Sequence, residues 1–369
     1  LSIFILLSVT IRFLASGNTL TFDQLTAEAT AATLTEYETL AWRFCYDWLF
    51  GWEQFTLNTS GSTGPPKPIA LTRRQMAASA AMTGQALGLQ PGDTVLVNLS
   101  VRYIAGMMML VRGLELGLHL TVVEPTTRLL ESLPIGSRFD FQSYVPLQIE
   151  AISQMPEGLA LLNTAKAILV GGAPVSPVLE EKLQAVGAPV YQTYGMTETV
   201  SHVALRRLNG SQRHDFYTAL PGVAFVQDER GCLVIQTPHL HDNPLVTNDV
   251  VELLSAQNFR WLGRADNVIN SGGVKVQAET VEAEVGRALA EMGLARRFFV
   301  AGLPDARLGE AVALVLEGEK IGSEQEEALL QSLKSRLPRY HAPVRVVYVP
   351  VFAETPTAKI DRKKTLTAR

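Results

Sequence analysis

The chain has 369 residues, 47% apolar and 18% charged, which is the balance of a folded protein with room for two domains and excludes a disordered one. Its net charge of −4 comes from 36 acidic and 32 basic residues without a long single-sign block, so composition speaks against nucleic acid and for small-molecule partners. Two distant cysteines, Cys45 and Cys232, exclude a disulfide framework and point to a reducing compartment, the cytoplasm.

In chain order, the apolar run from Leu1 to Ala15 lacks a basic start, is interrupted by Arg12 and falls short of the ~18 residues of a membrane span. It is expected to be a buried strand or an upstream extension; the first residue is Leu, so the true start lies open. A helix is expected from Tyr37 to Trp48, with Leu40, Phe44 and Trp48 on one face. Next comes T-S-G-S-T-G-P-P-K, expected to lead into a helix capped by Thr72 and stopped by Gly88. Strands over 94–99, 120–123, 167–170 and 190–194 alternate with helices over 104–116 and 176–186. Such alternation argues a layered α/β unit with a substantially parallel sheet.

Past Ser201 the pattern changes to short strands, with a hairpin at Glu229, Arg230 and Gly231, and implies a β-rich subdomain. From Gly263 it changes again. A glycine-rich strand pair, a helix over 278–292, strands over 298–303 and 311–316, a helix over 323–336 opened by a Ser323/Glu326 capping box, and a strand over 344–349 make a compact α+β unit. The expected division is therefore a large domain over 1–263 and a small one over 264–369.

Four motifs carry chemistry. Thr59, Ser60, Gly61, Ser62, Thr63, Gly64 and Lys67 supply the hydroxyls, close backbone and point charge that a polyphosphate needs. Pro65 and Pro66 separate Gly64 from Lys67, so this is not the nucleotide-triphosphatase loop with its contiguous Gly-Lys. Y-Q-T-Y-G-M-T-E-T spans 191–199, preceded by G-G-A-P-V-S-P at 171–177; T-N-D at 247–249 is followed by W-L-G-R-A-D-N-V-I-N-S-G-G-V-K-V at 261–276; T-P-T-A-K-I-D-R closes the chain at 355–362. In this order they resemble the adenylate-forming enzymes, the superfamily of acyl-CoA ligases, luciferases and peptide-synthetase adenylation domains.

The resemblance implies ATP, Mg²⁺ and coenzyme A as reactants or cofactors and a small, mobile C-terminal domain. Tyr194 and Gly195, with Gly171, Gly172 and Ala173, would face the adenine. Thr197 would touch the α-phosphate and Glu198 hold Mg²⁺, a cation satisfied by one or two carboxylates plus phosphate oxygens. Asp249 and Arg264 would bind the ribose hydroxyls, Asp266 would be the hinge, Ser271, Gly272 and Gly273 would face the pantetheine channel, and Lys359 would be the catalytic lysine. Asn248 and Ala358 stand where the family has glycine.

The chain is shorter than typical members ahead of the phosphate loop. Together with R-Y-I-A-G-M-M-M-L at 102–110 and G-M-T-E-T-V-S-H-V-A-L-R at 195–206, this resembles compact o-succinylbenzoate–CoA ligases of menaquinone biosynthesis. Tyr103 would then line the acyl pocket, and Ser201, His202 and Arg206 would receive the unreacted carboxylate of a dicarboxylic substrate. Another aryl- or fatty-acyl-CoA ligase, or a silent nucleotide-binding relative, stays open, as does assembly into a homo-oligomer.

Overall fold

The computed structural model describes residues 9–25, 33–58, 68–354 and 360–367. It is a mixed α/β structure in which thirteen strands form one sheet. At its centre Val190–Gly195, Ala167–Val170, Phe141–Tyr144, Thr94–Val97, His119–Val122 and Thr10–Phe13 run parallel in that order. Their side chains alternate between two buried layers: Val95, Val97, Ala167 and Leu169 face one, and Leu96, Ile168 and Val170 the other. Helices cover both faces, which is why Ala167–Val170 and Thr94–Val97 read as nearly continuous apolar runs. Glu36–Leu49, Arg73–Leu87 and Ile104–Leu116 pack into the first layer; Pro146–Ser153, Pro156–Leu162 and Pro177–Lys182 pack into the second.

Thr72 caps its helix as expected, its hydroxyl accepting from Gln75 N–H while the Gln75 side chain reaches back. The apolar start of the chain supplies the Thr10–Phe13 strand, with Ile11 and Phe13 fully buried. Buried Glu38 ties it down, one oxygen accepting from Ala15 N–H at 2.8 Å and Ser16 N–H at 3.1 Å. Among the described residues no helix is long and apolar enough to cross a membrane.

Several expectations are corrected. The hydroxyl-rich stretch does not pass straight into a helix: strands Gln54–Asn58 and Pro68–Thr72 pair antiparallel on either side of it. Residues 59–67 themselves lie outside the described residues. The helix opened by Ser176 ends at Lys182 and tightens into a 3₁₀ turn over Leu183–Ala185. The short strands after Ser201 do not form a sheet of their own; His202–Arg207, Tyr217–Ala219, Asn258–Arg264, Leu245–Ser255, Cys232–Gln236 and Ala224–Gln227 extend the parallel sheet outward. Strand Phe141–Tyr144, unforeseen because polar Gln142 and Ser143 interrupt its apolar pattern, fills the sheet's middle.

Beyond residue 267 a five-stranded sheet forms separately. Val268–Ser271 and Val274–Gln277 make a hairpin, then Phe298–Asp305, Gly309–Glu317 and Arg345–Val349 pair around Gly309–Glu317. Helices Ala278–Glu291 and Ser323–Arg336 cover it. The expected Ser323/Glu326 capping box is absent. Gly322 is the cap residue, without a side-chain bond, and Glu326 instead accepts from the Tyr348 hydroxyl at 2.9 Å.

Glu282 sits under this sheet. Burial lifts its carboxyl from an ordinary 4.5 to about 7, against the pull of Arg362 and the Val300 N–H, with neighbouring Glu279 adding to the rise. A carboxyl with a raised folded pKa stabilises fully below its unfolded value and loses that contribution as pH climbs through the folded one. Glu282→Gln, which cannot ionise, should escape the loss. In urea denaturation between pH 6 and pH 8, the wild type is expected to lose about 1 kcal/mol more than the variant. Parallel pH profiles would show that Glu282 does not titrate in this window.

Candidate active site

The strands Val190–Gly195 and Ala167–Val170 end side by side, at the carboxyl edge of the parallel sheet where open α/β sheets place their ligands. Gly171 leaves the second of these with its backbone against the first: a Cβ there would lie 2.2 Å from Thr193 Oγ1. Gly172 and Ala173 follow, exposed, so main chain with little or no side chain lies open at this edge.

After Gly195 the chain makes a knot. Met196 N–H donates to Thr199 Oγ1 at 2.8 Å, Val200 N–H to Thr197 O at 2.9 Å, and Ser201 N–H to Thr199 O at 2.8 Å. Val200 is fully buried with φ 67, a left-handed conformation that costs a β-branched residue on the order of 1–2 kcal/mol. The turn leaves Glu198 exposed. Among the described residues its carboxylate has neither a hydrogen bond nor an ion pair, which suits a hard cation carrying other oxygens.

Two motifs distant in sequence meet at one carboxylate. Asp249, 7% exposed, accepts from the Tyr194 hydroxyl at 2.7 Å and the Trp261 indole at 3.2 Å, and Arg264 lies 3.8 Å away. Burial and the adjacent Asp249 charge push the Tyr194 phenol well above its ordinary range, so it stays protonated and donates. Its ring packs edge-on to Phe259 and tilted against Tyr217. Arg264 turns its other arm to Asp266 at 2.7 Å, and Asn248 reaches Asp266 at 3.5 Å. Trp261 was unforeseen as a partner of Asp249. The sheet explains it: Asp249 faces Arg264 and Val251 faces Trp261 across the same antiparallel ladder.

The three residues expected to receive a second carboxylate are not brought together. Strand His202–Arg207 carries a bulge: Gly195 opposes His202, but Tyr194 opposes Ala204. Directly opposed residues share a face, so His202 and Arg206, four apart, point to opposite sides of the sheet. Arg206 is already met by Glu180 at 2.7 Å and by Gln192. On the other side Ser201 and His202 surround a side chain that was missed, Arg112. Its Nη2 donates to Ser201 Oγ at 2.8 Å and lies 3.4 Å from His202 Nδ1. His202 Nε2 is 3.2 Å from the Thr83 hydroxyl, and burial and the Arg112 charge hold the imidazole well below its usual pKa, hence neutral.

Arg112 is 2% exposed and has no carboxylate partner among the described residues, and its Nε has no hydrogen bond. Burial lowers the guanidinium to about 9, still above neutral pH, so the cation remains charged. A signal existed in the sequence: one arginine inside the apolar helix Ile104–Leu116. Tyr103 begins that helix, half exposed.

The pair Gly272 and Gly273, φ 58 and 81, form the two-residue hairpin turn that requires left-handed backbone at both positions. Both are exposed, whereas Ser271 is buried and contributes no accessible hydroxyl. The phosphate-loop residues Thr59, Ser60, Gly61, Ser62, Thr63, Gly64 and Lys67, and also Lys359, lie outside the described residues.

Comparison with known proteins gives the family of the chain. The family described as AMP-binding enzyme matches residues 55–231. A probable 2-succinylbenzoate–CoA ligase of Mycobacterium tuberculosis is 31% identical over 83% of this chain and 82% of its own length. The 2-succinylbenzoate–CoA ligase of Geobacillus sp. is 26% identical over 82% of this chain and 66% of its own. Among solved structures, an acyl-CoA synthetase (AMP-forming)/AMP-acid ligase II-like protein from Dyadobacter fermentans superposes with a TM-score of 0.61 at 43% identity, covering 93% of this chain and 98% of that one. The o-succinylbenzoate CoA synthetase of Bacillus subtilis, with its acyl-adenylate, shares the fold at a TM-score of 0.71 and 23% identity over 85% of this chain and 69% of that one.

Proposed function

The chain belongs to the AMP-binding enzyme family, and from that premise we propose that it is an ATP-dependent, AMP-forming acid–CoA ligase acting on o-succinylbenzoate. The observation that carries the reading is the convergence of Tyr194, Trp261 and Arg264 on buried Asp249, together with the glycine edge at Gly171, which packs on Thr193, the residue before Tyr194. A fixed carboxylate flanked by donors suits the two hydroxyls of a ribose, and bare backbone suits a flat adenine.

A free carboxylate is a poor acyl donor because its leaving group would be oxide. In the first step its oxygen attacks the α-phosphorus of ATP, the bond to pyrophosphate breaks, and a mixed anhydride results. In the second, a thiol attacks the carbonyl carbon, AMP departs and the thioester forms. Charge builds on the α-phosphate in the first step, where Thr197 and Lys359 donate. Magnesium, when bound at Glu198, neutralises phosphate charge. The loop over 59–67 holds the pyrophosphate end. The exposed Gly272–Gly273 turn borders the path of the incoming pantetheine. A division at Asp266 lets the part beyond it, with Lys359, withdraw before the thiol arrives.

Arg112 and Ser201 extend this to the acid. A buried guanidinium without an acid partner among the described residues invites an anion, and a dicarboxylate would place its unreacted group there; Arg206, neutralised by Glu180, takes no part. We assign the protein to the cytoplasm, where such acids, ATP and CoA coexist.

Mass spectrometry after mixing protein, MgATP and CoA with a panel of acids tests the reading. o-Succinylbenzoate should give its CoA thioester and AMP, while benzoate and a long-chain fatty acid give little. Preference for either of those would leave an acyl-CoA ligase of another substrate class. No adenylate with any acid would leave a silent nucleotide-binding relative.

A further inference from the structure

The chain is fastened on both sides of the segment that includes Lys359. Glu354 and Ile360 form an isolated antiparallel bridge, and Asp361 N–H donates to Ala353 O at 2.8 Å. Two residues beyond that bridge, Arg362 turns inward. Its Nη2 donates to Glu282 Oε2 at 2.9 Å and lies 3.7 Å from Glu279 Oε1, and its Nη1 reaches Val300 O at 3.3 Å. The guanidinium sits over the Phe299 ring, 5.7 Å from its centroid. Glu282 is itself fixed, accepting from Val300 N–H at 2.7 Å.

Glu279 faces the other way as well. Its Oε1 accepts from the Asn267 amide at 2.5 Å and its Oε2 from Arg264 N–H at 3.4 Å, so one carboxylate touches the chain on both sides of Asp266. Both acids lie on the first turns of helix Ala278–Glu291, a rigid element between the pivot and the arm. A lone surface ion pair would carry little. Here two carboxylates and a carbonyl grip one guanidinium, with side chains 27% exposed for Arg362, 11% for Glu279 and 19% for Glu282.

We infer that Glu279, Glu282 and Arg362 form a strut joining the pivot at 264–267 to the root of the Lys359 arm, and act as positioning residues for acyl-adenylate formation. The inference rests on the role proposed above for Lys359. Without the strut the lysine stays on the chain but loses its placement, and misplacement by about 1 Å can cost roughly 100-fold in rate.

Arg362→Met, Arg362→Lys and Glu279→Gln are compared with Lys359→Ala in the full-length protein. Acyl-adenylate formation is followed by pyrophosphate exchange with o-succinylbenzoate, and thioester formation is started from preformed acyl-adenylate and CoA. Arg362→Met should lower kcat of the first roughly 10- to 100-fold, leave the ATP KM within about twofold and leave the second reaction unchanged. Arg362→Lys should recover part of the loss, and Glu279→Gln should show the same split if Arg362→Met does not fold. Amide exchange over 353–362 should quicken in Arg362→Met while the large sheet is unaffected. Equal loss in both reactions, a change confined to KM, or unaltered exchange would overturn the strut. If Lys359→Ala abolishes adenylation and Arg362→Met does not, the strut alone is wrong. If Lys359→Ala is fully active, or the wild type makes no adenylate, the functional reading is wrong and the strut goes with it.

Discussion

Replacing Lys359 by Ala should lower the rate of acyl-adenylate formation by roughly 10²–10³ while sparing thioester formation from preformed acyl-adenylate. The magnitude is that of removing one preorganised donor from a site of developing negative charge, about 3–4 kcal/mol. The asymmetry follows from chemistry. Attack on the α-phosphorus creates charge that an ammonium can meet. Attack of a thiol on the anhydride carbonyl needs that position vacated. Single-turnover measurement of each half-reaction separates the two, with ATP KM as a control: the loss belongs in kcat, because the donor acts on charge that is absent from bound ATP. If both half-reactions fell by the same factor, Lys359 would be serving the protein's integrity rather than one transition state.

Much of this could be read from residue patterns, for identifiable reasons. Thr72 and Gly88 announced their helix because a hydroxyl cap and a glycine stop have local causes. Asp249 and Arg264 are read from one motif and Tyr194 from another. The antiparallel ladder sets Arg264 opposite Asp249, while the Tyr194 hydroxyl reaches the same carboxylate from a strand elsewhere in the sheet, which neither motif shows by itself. The bulge in His202–Arg207 was equally hidden. A strict period of two places His202 and Arg206 on one face, and a single extra residue sends them apart. The Ser323/Glu326 cap failed for a tertiary reason: the Tyr348 hydroxyl, from a strand paired far along the chain, competes for the Glu326 carboxylate. Arg112 was passed over because a helix apolar on nearly every side reads as core, and an arginine there as an exception to ignore.

That exception supports the second large effect. Arg112→Met keeps the length and apolar packing of the side chain and deletes its charge. For an acid with two carboxylates, kcat/KM should fall at least about 30-fold, since truncating one partner of a buried charged pair costs roughly 2–5 kcal/mol. For benzoate, which has no second carboxylate, the change should be small. Stability should move the other way. In the ligand-free protein the guanidinium is buried, and among the described residues its hydrogen-bonding neighbours are Ser201, His202 and the Met109 sulfur, so methionine removes a charge that no described carboxylate pairs. The variant's Tm should equal or exceed that of wild type. Ser201→Ala, which deletes one neutral partner, should weaken dicarboxylate turnover by a smaller factor in the same direction. Arg112→Lys, keeping charge without a planar fork, should fall between. A variant that melts lower and turns over both acids equally poorly would make Arg112 a packing residue. Loss of one substrate from a protein that has become no less stable is the combination that a cation held ready for an anion predicts.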